Sequence, residues 1–199
     1  TIRRQRQMCI RDRLAAFVAR MAFPEITLAA WGSLVYPISL VVEGPIIMLL
    51  TASTALAKDL PSYKKLFKYM LVMSVALSLI HIIIAFTPIF YFVAENLMNV
   101  PSSIIEPGRV GLQIMTPWTI MIAWRRLNQG VMIKHGNSTI VAIGTLIRLL
   151  TLIAVLSYGR WLSNFSGIVV GASAVALAVT AEALYLSLIH ISEPTRHRR

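Results

Sequence analysis

The stretch Pro117–Gly136, PWTIMIAWRRLNQGVMIKHG, has the length and apolar character of a membrane helix, yet it contains the adjacent arginines Arg125 and Arg126. A helix crosses a bilayer with roughly 20 mainly apolar residues. An arginine at the centre of such a helix costs roughly 2.5–3.5 kcal/mol on insertion scales. Each of these arginines therefore needs a charge partner, an aqueous cavity or a route to the membrane surface.

The chain around this stretch is apolar as well. Its 199 residues are 57% hydrophobic and 14% charged, with a mean hydropathy of +0.71, whereas soluble domains average about 25% charged residues. We therefore predict an all-α fold, a polytopic transmembrane helical bundle in residues 14–186. It would comprise the end of a first helix in residues 14–23 and five full spans, which together indicate a six-helix unit: Leu28–Ala57, Leu66–Phe90, Gly108–Lys134, Thr139–Tyr158 and Phe165–Leu186.

Both ends of the chain depart from this pattern. Residues 1–13, TIRRQRQMCIRDR, carry +4 of the formal net charge of +11, and residues 187–199, SLIHISEPTRHRR, carry +2. Both segments resemble translated sequencing-adaptor sequence, so we expect them to be non-native and to take no part in the fold. The alternative is a real basic arm that meets anionic lipid head groups. Cys9, the only cysteine, lies in the first segment, so no disulfide is expected.

Charged residues in the connections predict the orientation of the bundle. The segment Lys58–Lys68 has a local net charge of +3, whereas Tyr91–Pro107 carries Glu95 and Glu106 and no lysine or arginine. Lysine and arginine are enriched in short cytoplasmic loops. We therefore predict that Lys58–Lys68 faces the cytoplasm, with Arg160 on the outer side as a mild exception.

Glu43 is the candidate for an ion-coupling group. It lies midway along the first full span, on one helical face with Tyr36, a weaker candidate, and Ser39. Pro45 follows two residues later and removes a backbone hydrogen bond, which bends a helix and can open a cavity. Two interpretations stand: Glu43 responds to H+ or Na+, or it only pairs with an arginine to hold two helices together.

Arg125 and its neighbours are the candidates for a substrate path or for charge partners. Arg125 shares a helical face with Gln129, and Asn128 lies beside that face. We expect Arg125 to contact Glu43 or an anionic substrate group. Arg126 points about 100° away and can extend toward the inner membrane surface, so it is a weaker candidate. An interface anchor is the alternative for both arginines.

Three more polar residues fall within spans. Arg148 lies near the middle of its span, where a partner is required, and we expect that partner to be Glu43 by sign and depth. His81 is a weaker candidate that can titrate near neutral pH, although a lone histidine in an apolar helix is more often a packing residue. Glu182 continues the small-residue ridge Gly167–Ala178, GIVVGASAVALA, a pattern typical of close helix packing, and we interpret it as part of that packing.

Soluble-type catalytic motifs are absent from the sequence. It contains no Walker loop, no HExxH, no GxSxG and no Rossmann fingerprint. We therefore predict that the chain is not an enzyme, that it binds no metal at a dedicated site, and that it uses no cofactor apart from a coupling ion.

Two segments resemble a known family. Tyr36–Met70, YPISLVVEGPIIMLLTASTALAKDLPSYKKLFKYM, is similar to the second helix, basic loop and third helix of bacterial MATE-like transporters of the multidrug/oligosaccharidyl-lipid/polysaccharide (MOP) exporter superfamily, and Ile114–Gly136 looks like their fourth helix. The resemblance implies the N-terminal lobe of a twelve-helix transporter in the bacterial cytoplasmic (inner) membrane. It further implies a missing second six-helix lobe as partner, alternating access, and H+ or Na+ coupling. The resemblance is also compatible with a relationship to the eukaryotic progressive ankylosis transporters.

The first functional hypothesis is thus a fragment of an ion-coupled exporter or flippase in the lipid bilayer. A path rich in arginine suits an anionic or lipid-linked substrate better than a cationic drug. The alternatives are a non-transporting membrane scaffold whose charge pairs specify helix assembly, and an anion or pyrophosphate-type transporter related to progressive ankylosis proteins. A membrane enzyme that acts on lipid-linked substrates ranks last, and none of these functions involves nucleic acid.

Overall fold

The structure, a computed structural model, describes residues 24–161 and 165–192. These residues form helices and connections, with no strand among them. The helix end predicted in residues 14–23 and the segment 1–13 lie outside the described residues. The α-helices are α1 (Pro24–Ala30), α2 (Tyr36–Ile47), α3 (Leu49–Leu56), α4 (Leu60–Phe86), α5 (Ile89–Phe92), α6 (Ser102–Ile114), α7 (Trp118–Lys134), α8 (Ser138–Trp161) and α9 (Gly167–Ser192), and π-helical turns occur at Trp31–Val35 and Val93–Leu97.

The first helical run extends over 33 residues, Pro24–Leu56, and contains α1, one π-helical turn, α2 and α3. It is interrupted at Met48, three residues after Pro45. Because proline has no backbone N–H and its ring crowds the preceding turn, an interruption near this point is its expected effect. The result is a short separate helix, α3, that packs on α7.

Among the described residues, four helical runs are long and apolar enough to cross a membrane: Pro24–Leu56, Leu60–Phe86, Ser138–Gly159 and Gly167–Ile189. The predicted span Gly108–Lys134 is not one of them, because the chain turns at Met115–Pro117 and divides it into α6 and α7. Proline disfavours the helical conformation of the residue before it. The all-α prediction is confirmed, and the count of five full spans plus the end of a sixth is not.

The two ends of α4 are defined by side chains. Asp59 caps the N-terminus by accepting a hydrogen bond from the Ser62 N–H at 2.8 Å, and this hydrogen bond lowers the pKa of Asp59 below its usual value. At the other end, Arg109 of α6 donates to the carbonyls of Ala85 and Phe86 at 3.4 and 3.2 Å. A cation at a helix C-terminus satisfies carbonyls without intrahelical partners and is favoured by the helix dipole.

The helix α7 lies at the centre of the bundle. It packs against α2, α3, α4, α8 and α9, and its buried side chains include Arg125, Asn128 and Gln129. In the most apolar 18-residue stretch of each candidate span, 28% of the residues are buried in α4 and 17% in α8, whereas 61% are buried in α9. The most apolar helices, α4 and α8, therefore present their side chains outward, while α7 places polar groups in the interior.

Close contact between α3 and α7 depends on Gly130. A Cβ at this position would lie 2.8 Å from the Leu50 carbonyl oxygen and would overlap Ser53 Oγ. Near the ends of the same two helices, Lys134 Nζ donates to the Ala55 carbonyl at 3.0 Å. The C-terminal ends of α3 and α7 thus lie at the same end of the bundle.

The small-residue ridge of α9 packs against α1, α6 and α8. A Cβ at Gly167 would lie 3.0 Å from Thr27 Oγ1 of α1. Likewise, a Cβ at Gly111 of α6 would lie 3.0 Å from Ile168 Cγ1. The helix itself continues to Ser192, beyond the end at Leu186 predicted from the sequence. The segment 193–199 lies outside the described residues.

Candidate functional site

Glu182 of α9 is the centre of a buried group of polar side chains. Its Oε2 accepts a hydrogen bond from Arg125 Nη1 at 2.8 Å, and its Oε1 accepts one from Gln129 Nε2 at 2.8 Å. Arg148 Nη1 lies 3.9 Å from Oε2, which is an ion-pair distance rather than a hydrogen bond. Because Glu182 is 0% exposed, its carboxylate is held by these protein groups and not by solvent.

The spacing of residues on α7 and α8 produces this arrangement. Arg125 and Gln129 are four residues apart on α7, and Gly144 and Arg148 are four residues apart on α8, so each pair lies on one helical face. A Cβ at Gly144 would lie 3.4 Å from Glu182 Cγ, an ordinary contact distance, so this face of α8 lies beside the Glu182 side chain. Two helices therefore supply donors to one acceptor on a third.

Glu43 lies in the same interior region, but the ion pairs of Arg125 and Arg148 are made with Glu182 and not with Glu43. It is 2% exposed; the indole N–H of Trp118 lies toward its carboxylate, and its charged neighbours are Arg125 and Arg126. Neither Glu43 Oε1 nor the indole N–H of Trp118 has a hydrogen-bond partner among the described residues. A carboxylate oxygen in this position has unused capacity to accept a hydrogen bond or a cation.

The expected pairing of Glu43 with Arg125 or Arg148 is corrected by the structure. Both arginines pair with Glu182, which the sequence had suggested to be packing surface alone. Helical periodicity assigns residues to a face of their own helix, but it does not show which helices are neighbours. The one usable signal was general: a carboxylate inside a span needs a partner.

We use the name arginine cluster for five charged side chains: Glu43, Arg125, Arg126, Arg148 and Glu182. With all five ionised, the cluster carries a net charge of +1. Arg148 has Arg125, Arg126, Glu182 and Tyr36 as electrostatic neighbours. Its side chain is 23% exposed, against 5% for that of Arg125, so Arg148 is the more accessible of the two arginines around Glu182.

Asn128 and His81, the other candidates from the sequence, lie apart from the Glu182 carboxylate. Asn128 is buried on α7, but no hydrogen bond joins it to Glu182. His81 is 1% exposed; its Nε2 lies 3.0 Å from the Leu112 carbonyl, and its Nδ1 lies 3.4 Å from Thr119 Oγ1. These contacts connect α4 to α6 and α7, which fits the packing interpretation of His81.

A second polar group lies between α5 and α6 and was not anticipated from the sequence. Tyr91 donates a hydrogen bond to Glu106 Oε1 at 2.5 Å and accepts one from Arg109 Nη1 at 2.6 Å. The hydrogen bond to Glu106 raises the pKa of Tyr91 above its ordinary value. The spacing of Glu106 and Arg109, three residues apart on a helix, was the available signal.

The described residues contain no group of three or more histidine, cysteine, aspartate and glutamate side chains that could hold a metal ion. The polar groups around Glu182 are the guanidinium groups of Arg125 and Arg148 and the amide of Gln129. Such a set can bind and release an oxyanion through charge-assisted hydrogen bonds.

Comparison with known proteins assigns the chain to a family. The family model of the progressive ankylosis protein (ANKH) matches residues 15–183. The chain belongs to the ANKH family. No curated protein and no solved structure matches it.

Membership of the ANKH family corrects the resemblance drawn from the sequence. The MATE-like assignment within the MOP exporter superfamily is wrong, because the matching family model is that of ANKH and covers residues 15–183. The second six-helix lobe was implied by that resemblance alone and is not supported. What stands is an ANKH-family protein with several membrane-spanning helices in contact with a lipid bilayer.

Proposed function

We propose that this ANKH-family chain binds an inorganic polyanion of the pyrophosphate class in the arginine cluster and carries it across the membrane. The observation behind the proposal is that three arginines and two carboxylates gather inside a bundle whose outer helices are apolar. The guanidinium group presents several N–H donors in a planar fork that matches phosphate oxygens. The association of the ANKH family with transport of pyrophosphate or other anions supports the same class of substrate.

Arg148 is the residue best placed for first contact with the anion. Its side chain is partly exposed, and at 3.9 Å it makes no hydrogen bond to Glu182. Arg125, by contrast, already donates to Glu182 and is nearly inaccessible. We therefore expect Arg148 to contribute to anion affinity more than it contributes to stability.

The substitution Arg148→Gln tests this assignment. It should weaken pyrophosphate binding by about tenfold or more, because a hydrogen bond to a charged group contributes about 1.5–3 kcal/mol. Binding would be measured by isothermal titration calorimetry on the purified chain, and uptake in proteoliposomes. Lys64→Gln, which neutralises an exposed cation at the start of α4, is the matched control. Failure of the unmodified chain to bind pyrophosphate would refute the proposed function.

A membrane scaffold is the second candidate, because the buried pair of Arg125 and Glu182 joins α7 to α9. The double substitution Arg125→Glu with Glu182→Arg keeps opposite charges on the two helices. A pure scaffold would keep its thermal stability in this variant and would bind no pyrophosphate before or after the exchange. The transport proposal expects binding by the unmodified chain and loss of binding on exchange, because position 125 then carries a carboxylate where the anion needs a guanidinium group.

The proposal contains no catalytic step. Its second part is that transport of the anion is coupled to a cation. We keep H+ or Na+ as the coupling ion and Glu43 as its candidate site, since Glu43 is buried with an unpartnered oxygen. In Glu43→Gln, pyrophosphate uptake should lose any dependence on an H+ or Na+ gradient, while Glu95→Gln, at an exposed carboxylate, should keep it. Unchanged gradient dependence in Glu43→Gln would remove the assigned role. Location in a bacterial cytoplasmic membrane stays a prediction.

A further inference from the structure

We propose that Glu182 is an internal competitor of the anion, and that its carboxylate and a pyrophosphate group alternate on Arg125 and Arg148. This inference rests on the proposed function and assigns a role to a residue that the proposed function alone does not use. It is based on the set of donors around Glu182, on the charge of the arginine cluster and on the exposure of the Arg148 side chain.

The donors that hold Glu182 are those that an oxyanion requires. Arg125 Nη1 and Gln129 Nε2 each donate to one carboxylate oxygen at 2.8 Å, and Arg148 Nη1 lies within ion-pair distance of the first. Two guanidinium groups and one amide on a single acceptor form a geometry that phosphate oxygens can occupy equally well. A pyrophosphate in this position and the Glu182 carboxylate would therefore exclude one another.

Charge gives the exchange a direction. With Glu182 in place the arginine cluster has a net charge of +1, and without the contribution of Glu182 it has a net charge of +2. A polyanion that replaces a single carboxylate thus gains more attraction than the carboxylate gives up. The same carboxylate limits affinity, which lets the anion leave again, as transport requires.

The surroundings of Glu182 favour approach from one side. Arg125 and Glu182 have side chains 5% and 1% exposed, whereas Arg148 is 23% exposed. Gly144, one turn before Arg148, lies beside the Glu182 side chain, since a Cβ at this position would be 3.4 Å from Glu182 Cγ. An anion that first meets Arg148 is therefore already close to Arg125, because both guanidinium groups lie beside the same Glu182 oxygen.

The alternative role for Glu182 is to position Arg125 for the anion. The two roles have opposite consequences for affinity. If Glu182 competes, removal of its charge strengthens pyrophosphate binding. If Glu182 only positions Arg125, removal of its charge weakens binding, because the guanidinium loses its orientation.

The test is equilibrium binding of pyrophosphate to Glu182→Gln. We expect the dissociation constant to fall about fivefold or more, the lower end of typical coupling between two sites. Gln129→Ala removes a donor that the Glu182 carboxylate and the anion would both use, so it should not produce the increase in affinity expected of Glu182→Gln. Glu95→Gln removes an exposed carboxylate and should leave affinity unchanged.

Thermal unfolding with and without pyrophosphate separates binding from folding. Glu182→Gln should unfold at a lower temperature than the unmodified chain without pyrophosphate, and pyrophosphate should raise its unfolding temperature more than that of the unmodified chain. If the unmodified chain binds pyrophosphate and Glu182→Gln binds it equally or more weakly, the competitor role is wrong and the proposed function stands. If neither protein binds pyrophosphate, the proposed function itself fails.

Discussion

At the scale of single residues, the interior arginines of this chain differ in what each one contacts. Arg125 donates to a fully buried carboxylate, whereas Arg148 is held only at ion-pair distance and is partly exposed. The neighbouring Arg126 is half-buried and interacts electrostatically with both Glu43 and Arg148. Adjacent arginines on α7 therefore have different surroundings, as the angle of about 100° between successive helical residues requires.

Removing Arg125 should therefore destabilise the chain far more than removing Arg148. We expect Arg125→Leu to lower the free energy of unfolding by about 3–5 kcal/mol, because Glu182 is left buried without its strongest partner. Arg148→Leu should cost less than about 1 kcal/mol, as is usual for loosely held ion pairs. Denaturant unfolding in detergent micelles measures both values.

The double substitution Arg125→Leu with Glu182→Leu is the control for this comparison. Because it removes both charges, it should regain most of the stability lost in Arg125→Leu. A double variant as unstable as the single one would show that the cost comes from lost packing at position 125 and not from the unpaired carboxylate.

At the scale of helices, the sequence predicts the outer elements better than the central one. The outer spans α4 and α8 are continuous apolar runs; the predicted bounds differ from the observed ones by six and four residues for α4 and by one residue at each end for the apolar run of α8. The predicted span Gly108–Lys134 is not one continuous helix, because the chain turns at Met115–Pro117, a local effect that hydropathy does not register. The pairing of α7 with α9 through Glu182 could not be predicted either, since it depends on which helices pack together.

The contact between α3 and α7 should depend on Gly130. Gly130→Ala places a methyl group against the backbone carbonyl of Leu50, which cannot move without shifting α3. We expect a loss of about 1–3 kcal/mol in the free energy of unfolding, typical of overpacking. Gly44→Ala is the matched control, because a Cβ there meets no atom within 4 Å. Equal stabilities of the two variants would contradict the close contact.

The start of α4 should respond to acid through Asp59. Because the pKa of Asp59 is lowered in the folded chain, its contribution to stability is present above its ordinary pKa of about 3.9 and is lost as the pH falls through the folded value. Hydrogen exchange of the Ser62 amide should be faster in Asp59→Ala than in the unmodified chain at neutral pH. The difference should shrink as the pH falls through the lowered pKa of Asp59, and a difference that does not shrink on acidification would exclude the cap as its cause.

At the scale of the whole molecule, polarity is distributed in the reverse of a soluble bundle. The helices with the least buried surface are the most apolar, and the central helix α7 carries the buried arginine, asparagine and glutamine. In a bilayer this arrangement is favourable, because apolar side chains face lipid and charged side chains find partners only inside. Composition alone predicted the membrane, but only the assembled helices show that the charges share one interior site.

The same assembly fixes the relative sides of the connections. Because Lys134 of α7 donates to Ala55 of α3, the α3–α4 and α7–α8 connections lie at one end of the bundle, and the segment around Glu95, after the full length of α4, lies at the other. Single cysteines at Lys58 and Asn137, in a Cys9→Ser background, should react with a membrane-impermeant maleimide from the same side of intact vesicles, and a cysteine at Glu95 from the opposite side. With the basic connection Lys58–Lys68 expected on the cytoplasmic side, inside-out vesicles should label the first two positions and right-side-out vesicles the third. Labelling of all three positions from one side would mean that α4 does not cross the membrane. The arginine cluster could then not carry an anion from one side of the membrane to the other.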